Sequence, residues 1–298
     1  MDRLRSLRLF VQVVKARNFT AASNQLNISR SYLSREISAL ETALGVRLIN
    51  RTTRHVSPTE VGRVYYERCA KILDDLDEAD FELAANHGEP RGHIRLLAPK
   101  SFMVFALPDP IASFSKKYPG VEMTILPFDR KIDLIQSGID LALRFGDLSD
   151  STLVCRKLAA FNLQLCATPR YLEQHGLPKT PQDLLGHNCL RHTIHTHNAG
   201  WIFQSPDGPL EVKVSGSLVA SSSMFLRECI LRDLGIGVVP RYSVAADIRQ
   251  GRLLNILEDF PLGPQPLYGM YAGNHLSHRV RLFMDHLASW FGAERPDI

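Results

Sequence analysis

The run from Phe19 to Gly45 constrains this chain more than any other stretch. Phe19-Thr20-Ala21-Ala22-Ser23 reads as a short helix, Leu26-Asn27-Ile28-Ser29 as a tight turn, and Arg30 onward as a longer helix. Leu33, Ile37, Leu40 and Leu44 recur at i, i+4, i+7 and i+11, which is one apolar stripe of a helix. Arg30, Ser31, Ser34 and Arg35 share another face. A helix buried on one side and lined with Arg and Ser on the other suits insertion into a DNA major groove. Ser29 is placed to cap it, because its hydroxyl can accept from an orphan amide of the first turn. Asn27 sits where a residue tolerant of left-handed backbone is wanted. Ala21, Ala22 and Ser23 are small enough for close helix approach, and the stripe Leu7, Phe10, Val11, Val14 predicts a third helix covering them. The alternative is a helical hairpin in an ordinary core, which leaves the Arg and Ser face unused.

Charge supports the nucleic-acid reading. The 298-residue chain carries a formal +4, unevenly spread: residues 1–60 hold ten Arg and Lys against four Asp and Glu. A basic end on a near-neutral body is the footprint of a nucleic-acid-binding domain joined to something else. The length predicts two or three domains of about 100–200 residues each.

These residues resemble the N-terminal domain of the LysR-type transcriptional regulators. The family pattern stands here as Phe19-Thr20-Ala21-Ala22, Ser29-Arg30, Ser34-Arg35-Glu36-Ile37, Leu40-Glu41, Leu44-Gly45, Leu48-Ile49, Arg51 and Pro58-Thr59-Glu60-Val61-Gly62. The match is dense over about sixty positions. Departures are Arg30 and Glu36 where Gln is usual, Ile49 for Phe, and the bulky Tyr32 where the family is commonly small. Arg30 and Tyr32 lie near the reading surface, so they bear on base preference and not on fold. The resemblance places Thr20, Arg30, Ser31, Tyr32, Ser34 and Arg35 at the DNA. It makes residues 48–58 a wing whose Arg51, Thr53 and Arg54 grip phosphates, Arg54 reaching for the minor groove; a merely solvated basic hairpin is the alternative.

A long helix is expected from about Thr59 to Ala85. Tyr65, Cys69, Ile72, Leu76, Ala79 and Leu83 alternate in steps of four and three, the seam of a coiled coil. Asp74, Asp75, Asp77, Glu78 and Asp80 keep the outside wet. A helix of this length cannot bury such a stripe against itself. The partner is the same helix of a second subunit or, in part, the chain's own C-terminal half. His87-Gly88-Glu89-Pro90-Arg91-Gly92 then breaks the helix as a hinge.

From His93 onward strands and helices alternate, a βαβ rhythm that implies a parallel sheet. Strands are expected at His93–Ala98, Val121–Leu126, Ile139–Phe145, Leu163–Ala167, Leu190–His195, Val212–Ser217 and Ile236–Val239. Helices are expected up to Lys117, at Arg130–Ser137 and at Ser277–Phe291. The fold class is α/β overall: a winged helix-turn-helix over 1–58, a linker and dimerisation helix over 59–88, and a two-lobed effector domain over 89–298. Lobe I takes about 91–160 and 266–298, lobe II about 161–265. Two such lobes resemble the family's effector domain, itself similar to periplasmic solute-binding proteins.

Clefts in such sheets lie beyond the carboxyl ends of strands. Three segments qualify: Pro99-Lys100-Ser101-Phe102, Pro127-Phe128-Asp129-Arg130 and Ser221-Ser222-Ser223-Met224. Arg144 ends a further strand and can meet a carboxylate with two hydrogen bonds. The resemblance implies a small, often anionic, effector there. Lys100, Ser101, Phe102, Phe128, Arg144, His192 and Ser222 are the candidate contacts; equally, the serines are helix caps and Arg144 pairs with Asp147 or Asp129.

Other chemistry is thin. His195 and His197 would share a strand face, but no Cys or acidic partner is fixed by spacing, so no metal is expected. Gly235-Ile236-Gly237 precedes a strand, the wrong context for a dinucleotide loop. No catalytic constellation is assembled, so neither an enzyme nor a cofactor is expected. Five scattered cysteines without C-x-x-C spacing argue against a disulfide framework. With no apolar leader or membrane-length run, the expected location is the cytoplasm. The resemblance implies an effector-controlled regulator with heads on dyad-symmetric promoter DNA, a homodimer extending to a tetramer, and an influence on RNA polymerase. Its rivals are a non-specific architectural DNA protein, an enzyme and a solute-binding protein.

Overall fold

A computed structural model describes residues 2–51, 56–83, 89–128, 134, 137–146, 153–193, 200–206, 208–273 and 276–292. The chain forms two compact units, 1–93 and 94–298.

The first unit begins with helices α1 (Arg3–Ala16), α2 (Phe19–Gln25) and α3 (Arg30–Leu44). A two-stranded antiparallel ribbon follows, β1 (Ile49–Arg51) against β2 (Val56–Pro58), and then the long helix α4 (Glu60–Leu83). Leu7, Phe10 and Val13 of α1, Ala22 of α2, Leu33, Ile37 and Leu40 of α3, and Cys69 and Leu73 of α4 form one buried cluster. The periodicities expected of α1 and α3 are therefore the faces that meet.

Helix α4 corrects the expected seam. Cys69 is buried in its own unit, and the Tyr65 ring packs 5.6 Å from that of Phe10. Arg8 of α1 pairs with Asp77 at 2.5 Å. Tyr65 and Cys69 thus serve the packing of α4 on α1. Their spacing matched a heptad because a helix face against a neighbouring helix has the same periodicity wherever the neighbour comes from. The stripe left open is Val61, Val64 and Ile72, which remain 56%, 45% and 52% exposed. Leu76 is half-buried and Ala79 exposed. Leu83 ends the helix, its side chain outside the described residues.

The second unit holds two five-stranded sheets. Its elements begin with β3 (Gly92–Ala98), α5 (Lys100–Phe105), α6 (Pro108–Lys117), β4 (Val121–Pro127), β5 (Leu141–Phe145) and β6 (Val154–Phe161). They continue with β7 (Leu163–Ala167), α7 (Pro169–His175), a 3-10 turn (Pro181–Gly186), β8 (Cys189–His192) and the hairpin β9 (Trp201–Ser205) and β10 (Gly208–Val212). The last are β11 (Val219–Ala220), α8 (Ser223–Ile230), β12 (Ile236–Pro240), α9 (Arg241–Arg249), β13 (Leu254–Asn255), β14 (Gln265–Tyr271) and α10 (His278–Gly292). One sheet has the order β4-β3-β5-β14-β6, the other β11-β8-β12-β7-β13.

Both sheets are mixed, which corrects the expectation of parallel pairing. β3 runs parallel to β5, and β8 to both β11 and β12. β14, however, is antiparallel to β5 and β6, and β7 to β12 and β13. The reason is the crossing chain: β6 leaves the first sheet for the second, and β14 returns between β5 and β6. Local alternation of strand and helix cannot reveal a strand that arrives from the other sheet. Val212 ends β10 and residues 213–217 form no strand. The helix expected at Arg130–Ser137 falls largely outside the described residues.

Gly235 and Gly237 are needed for close packing. A Cβ on Gly235 would stand 2.1 Å from the Asn188 carbonyl oxygen, and one on Gly237 2.6 Å from Ile230 Cδ1. The Gly-Ile-Gly run is thus read by neighbouring backbone and a core side chain.

Candidate nucleic-acid interface and effector cleft

The helix-turn-helix is fixed by caps. Asn18 Oδ1 accepts from the amides of Thr20 and Ala21 at 2.8 and 3.1 Å, starting α2 and leaving Thr20 exposed in its first turn. Asn27 adopts φ +52°, the left-handed backbone its place in the turn required. Ser29 Oγ accepts from the Tyr32 amide at 3.2 Å and starts α3. Gly45, at φ +69°, ends it.

With Leu33, Ile37 and Leu40 fully buried, Arg30, Ser31 and Arg35 are exposed and Ser34 half-exposed. The ribbon is pinned to this helix from beneath. Glu41 Oε1 accepts from the amides of Leu48 and Ile49 at 2.8 and 3.0 Å. Thr59 Oγ1 donates to the Arg47 carbonyl at 2.9 Å and accepts from the Gly62 amide at 2.9 Å. A Cβ on Gly62 would stand 1.9 Å from the Leu48 carbonyl oxygen. The run Pro58-Thr59-Glu60-Val61-Gly62 is therefore a joint where α4 crosses the ribbon at backbone contact. Arg51 ends β1; its side chain, and Thr53 and Arg54 altogether, lie outside the described residues.

The structure also shows what the sequence reading missed. Tyr32 is half-buried, with the Arg5 guanidinium carbon 5.2 Å and that of Arg35 5.6 Å from its ring centroid. Arg5 lies on α1, and no spacing along the chain could have placed it beside Tyr32.

In the second unit, the candidate effector residues gather at strand ends. The Phe128 amide donates to the Ala98 carbonyl at 2.8 Å, so the segments after β3 and β4 leave the same sheet end. Leu97 pairs with Ala142 in parallel register, which puts Arg144 level with Pro99 at that end. Arg144 is exposed, and so is Lys100 at the start of α5. In the other sheet, Ala220 pairs in parallel with the half-buried His192, and Ser222 follows two residues on.

Several of these side chains already have work. Ser101 is 7% exposed, its Oγ 3.3 Å from Tyr242 Oη of α9. Burial pushes the Tyr242 phenol up and the Ser101 hydrogen bond pulls it back. Phe102 is fully buried, with the rings of Phe145, Phe161, Tyr242 and Phe291 at 5.3–5.5 Å. It is a core residue and leaves the set of candidate contacts, because no face of its ring is open. Phe128 packs beside Leu97, Ile139 and Met270. Ser222 Oγ accepts from the Phe225 amide at 3.3 Å and caps α8. His195, His197, Asp129 and Asp147 lie outside the described residues.

A second link joins α5 to the other sheet. The Arg227 guanidinium carbon of α8 lies 5.5 Å from the Phe105 ring centroid. The same side chain pairs with Asp247 of α9 at 2.7 Å and with Glu228 at 2.7 Å. Asp247 is fully buried and also meets Arg252 at 2.5 Å.

The cysteines are free. Burial pushes the Cys166 and Cys189 thiols up to about 12. Among the described residues no helix is long and apolar enough to cross a membrane.

Comparison with known proteins gives this geometry a family. Residues 4–63 match the family described as bacterial regulatory helix-turn-helix protein, lysR family, and residues 87–292 match the LysR substrate binding domain. The chain is 34% identical over 288 residues to the HTH-type transcriptional regulator CrgA of Neisseria meningitidis serogroup C, covering 96% of each. It is 32% identical over 293 residues to the HTH-type transcriptional activator AaeR of Escherichia coli K12, covering 98% of this chain and 94% of that one. Among solved structures, CrgA aligns with a TM-score of 0.61 at 33% identity over 97% of this chain and 98% of that one. The full-length Vibrio cholerae virulence activator AphB aligns with a TM-score of 0.58 at 28% identity, covering 96% and 99%. A helix-turn-helix head with an exposed Arg and Ser face, followed by two five-stranded α/β sheets, fits both halves of that match: the chain belongs to the LysR family of transcriptional regulators, which bind DNA under the control of a small-molecule effector.

Proposed function

We propose that α3 enters the major groove with Arg30, Ser31, Ser34 and Arg35 toward base edges and nearby phosphates. Thr20 at the start of α2 and the wing residues Arg51, Thr53 and Arg54 flank it on the backbone. The observation that carries this reading is the division of α3: its apolar side is fully buried while Arg30 and Arg35 stay exposed.

Two heads act on a dyad-symmetric promoter site. The dimer forms along the open stripe of α4, Val61, Val64 and Ile72 with Leu76 and Leu83, since an exposed apolar row on a 24-residue helix calls for a partner. A tetramer of two such dimers sets the spacing of the heads, and the regulator acts from the cytoplasm on the access of RNA polymerase.

The effector sits between the strand ends of the two sheets. Lys100 and Arg144 from one sheet and His192 and Ser222 from the other surround it, with Ser101 reachable once it exchanges Tyr242 for ligand. Two exposed cations favour an anionic small molecule. Its leverage on DNA is limited to its difference in affinity between the two states of the regulator.

Footprinting on the DNA upstream of the regulator's own gene and its divergent neighbour tests the first part. A protected region with two half-sites about one helical turn or a multiple apart is expected. Uniform protection of any DNA would favour an architectural protein instead. A thermal-shift screen of small organic acids tests the second; a hit whose shift is lost in Arg144→Ala supports the cleft.

A further inference from the structure

Three arginines of α1 and α3 differ in what they touch. Arg8 has a counterion within the unit, Asp77. Arg5 and Arg35 have none: among the described residues neither side chain pairs with a carboxylate, and both are exposed. What they share is one aromatic ring, with the guanidinium carbons 5.2 and 5.6 Å from the Tyr32 centroid.

Each cation is attracted by the negative face of the ring. The two cations repel one another. Gathering both at one ring without an anion is unfavourable for the free protein and favourable once a polyanion lies against them. The ring itself is held. Tyr32 packs partly against the cluster of Leu33 and Ile37, and its amide is capped by Ser29. A bulky side chain at this point of α3 therefore has a fixed place beside two exposed cations.

We propose that Tyr32 is a positioning residue that holds the guanidinium of Arg35 for base recognition, and that it draws Arg5 of α1 into the DNA-contacting surface. This rests on the reading that α3 faces DNA. Arg35 held over a ring loses less side-chain freedom on docking than an arginine swinging in water. Arg5 adds a phosphate contact from a helix outside the helix-turn-helix pair, so its effect is on salt dependence and not on base preference.

The test uses the full chain. Wild-type protein first selects duplexes from a random-sequence pool. Tyr32→Phe, Tyr32→Leu, Arg5→Ala, Arg35→Ala and the double variant Tyr32→Leu with Arg35→Ala are then titrated on the selected duplex and on a scrambled one, over a salt series. Tyr32→Phe keeps the ring and stays within about twofold of wild type, whereas Tyr32→Leu loses about tenfold on the selected duplex only. The double variant loses clearly less than the product of the two single losses, because the ring acts through Arg35. Arg5→Ala lowers the slope of log affinity against log salt by about one unit on both duplexes.

The proposal is overturned if Tyr32→Phe is as damaging as Tyr32→Leu, since the hydroxyl then reads DNA itself. It is equally overturned if the losses multiply, or if the Arg5→Ala slope is unchanged. Should Tyr32→Leu fail to fold by circular dichroism, Tyr32→Phe and Arg5→Ala decide alone, the first by affinity and the second by slope. A wild-type protein that enriches no duplex refutes the placement of α3 at DNA, and this inference with it.

Discussion

Arg35 and Arg227 both lie over an aromatic ring, at 5.6 Å from Tyr32 and 5.5 Å from Phe105. Their electrostatic surroundings are opposite. Arg227 is 16% exposed and is neutralised by Asp247 and Glu228. Arg35 is exposed and has no carboxylate among the described residues. The counterion, more than the ring, separates a structural arginine from one directed outward. The same contrast runs through the two units. The head leaves Arg30, Ser31 and Arg35 exposed, whereas the effector half employs Ser101, Phe102 and Ser222 in its own packing and caps. On the proposed reading, a head that meets a polyanion displays a finished surface, whereas a cleft that changes state on binding keeps its polar groups satisfied until the ligand arrives.

Asp247→Ala breaks the internal arm of this comparison and has the largest expected effect. It leaves Arg227 without its buried partner and lowers stability by about 3–5 kcal/mol, seen as an early transition of the effector half in thermal melts. A melt unchanged from wild type would mean that the pair is not structural. Gly62→Ala does the equivalent to the head. Its Cβ meets the Leu48 carbonyl oxygen, and the head is destabilised by about 1–3 kcal/mol. The check is loss of DNA binding with the effector-half transition retained.

Ser222→Ala separates cap from contact. As a cap alone it costs about 1 kcal/mol of stability and leaves effector affinity within about twofold. A much larger fall in affinity by calorimetry makes the serine a ligand contact. The smallest effect concerns the thiols. Because burial raises Cys166 and Cys189 to about 12, iodoacetamide at neutral pH should leave both unmodified in the folded protein and label them once it is denatured. Mass spectrometry reads the difference directly.

The head was legible because its determinants are local. Asn18, Asn27, Ser29 and Gly45 act within a turn or two of their own position, and the stripe of α3 needs only periodicity. The contacts that tie the head together were harder to see. Glu41 reaches the ribbon seven and eight residues on, and Tyr65 and Cys69 meet α1 across more than fifty. The latter pair read as a coiled-coil seam because periodicity reports that a face is buried, not what buries it. In the effector half, strands such as β3, β5, β7 and β12 carried clear runs of Val, Ile and Leu. The sense of β14 did not, since it follows from the chain crossing twice between sheets. A general rule put the candidate effector residues at strand ends, and Lys100, Arg144, His192 and Ser222 do lie at or just beyond them. Which of them is already engaged is a matter of non-local partners such as Tyr242, and Arg5 escaped notice for the same reason.

On the proposed reading, α3 reads bases through an arginine whose counterion is the DNA. Affinity of Arg35→Ala for the selected duplex and for random DNA, measured at one salt concentration, tests this most directly. The expected result is a loss of about 1–3 kcal/mol on the selected duplex, with random DNA much less affected. Equal affinity of mutant and wild type for the selected duplex, or the same loss on both DNAs, would contradict it.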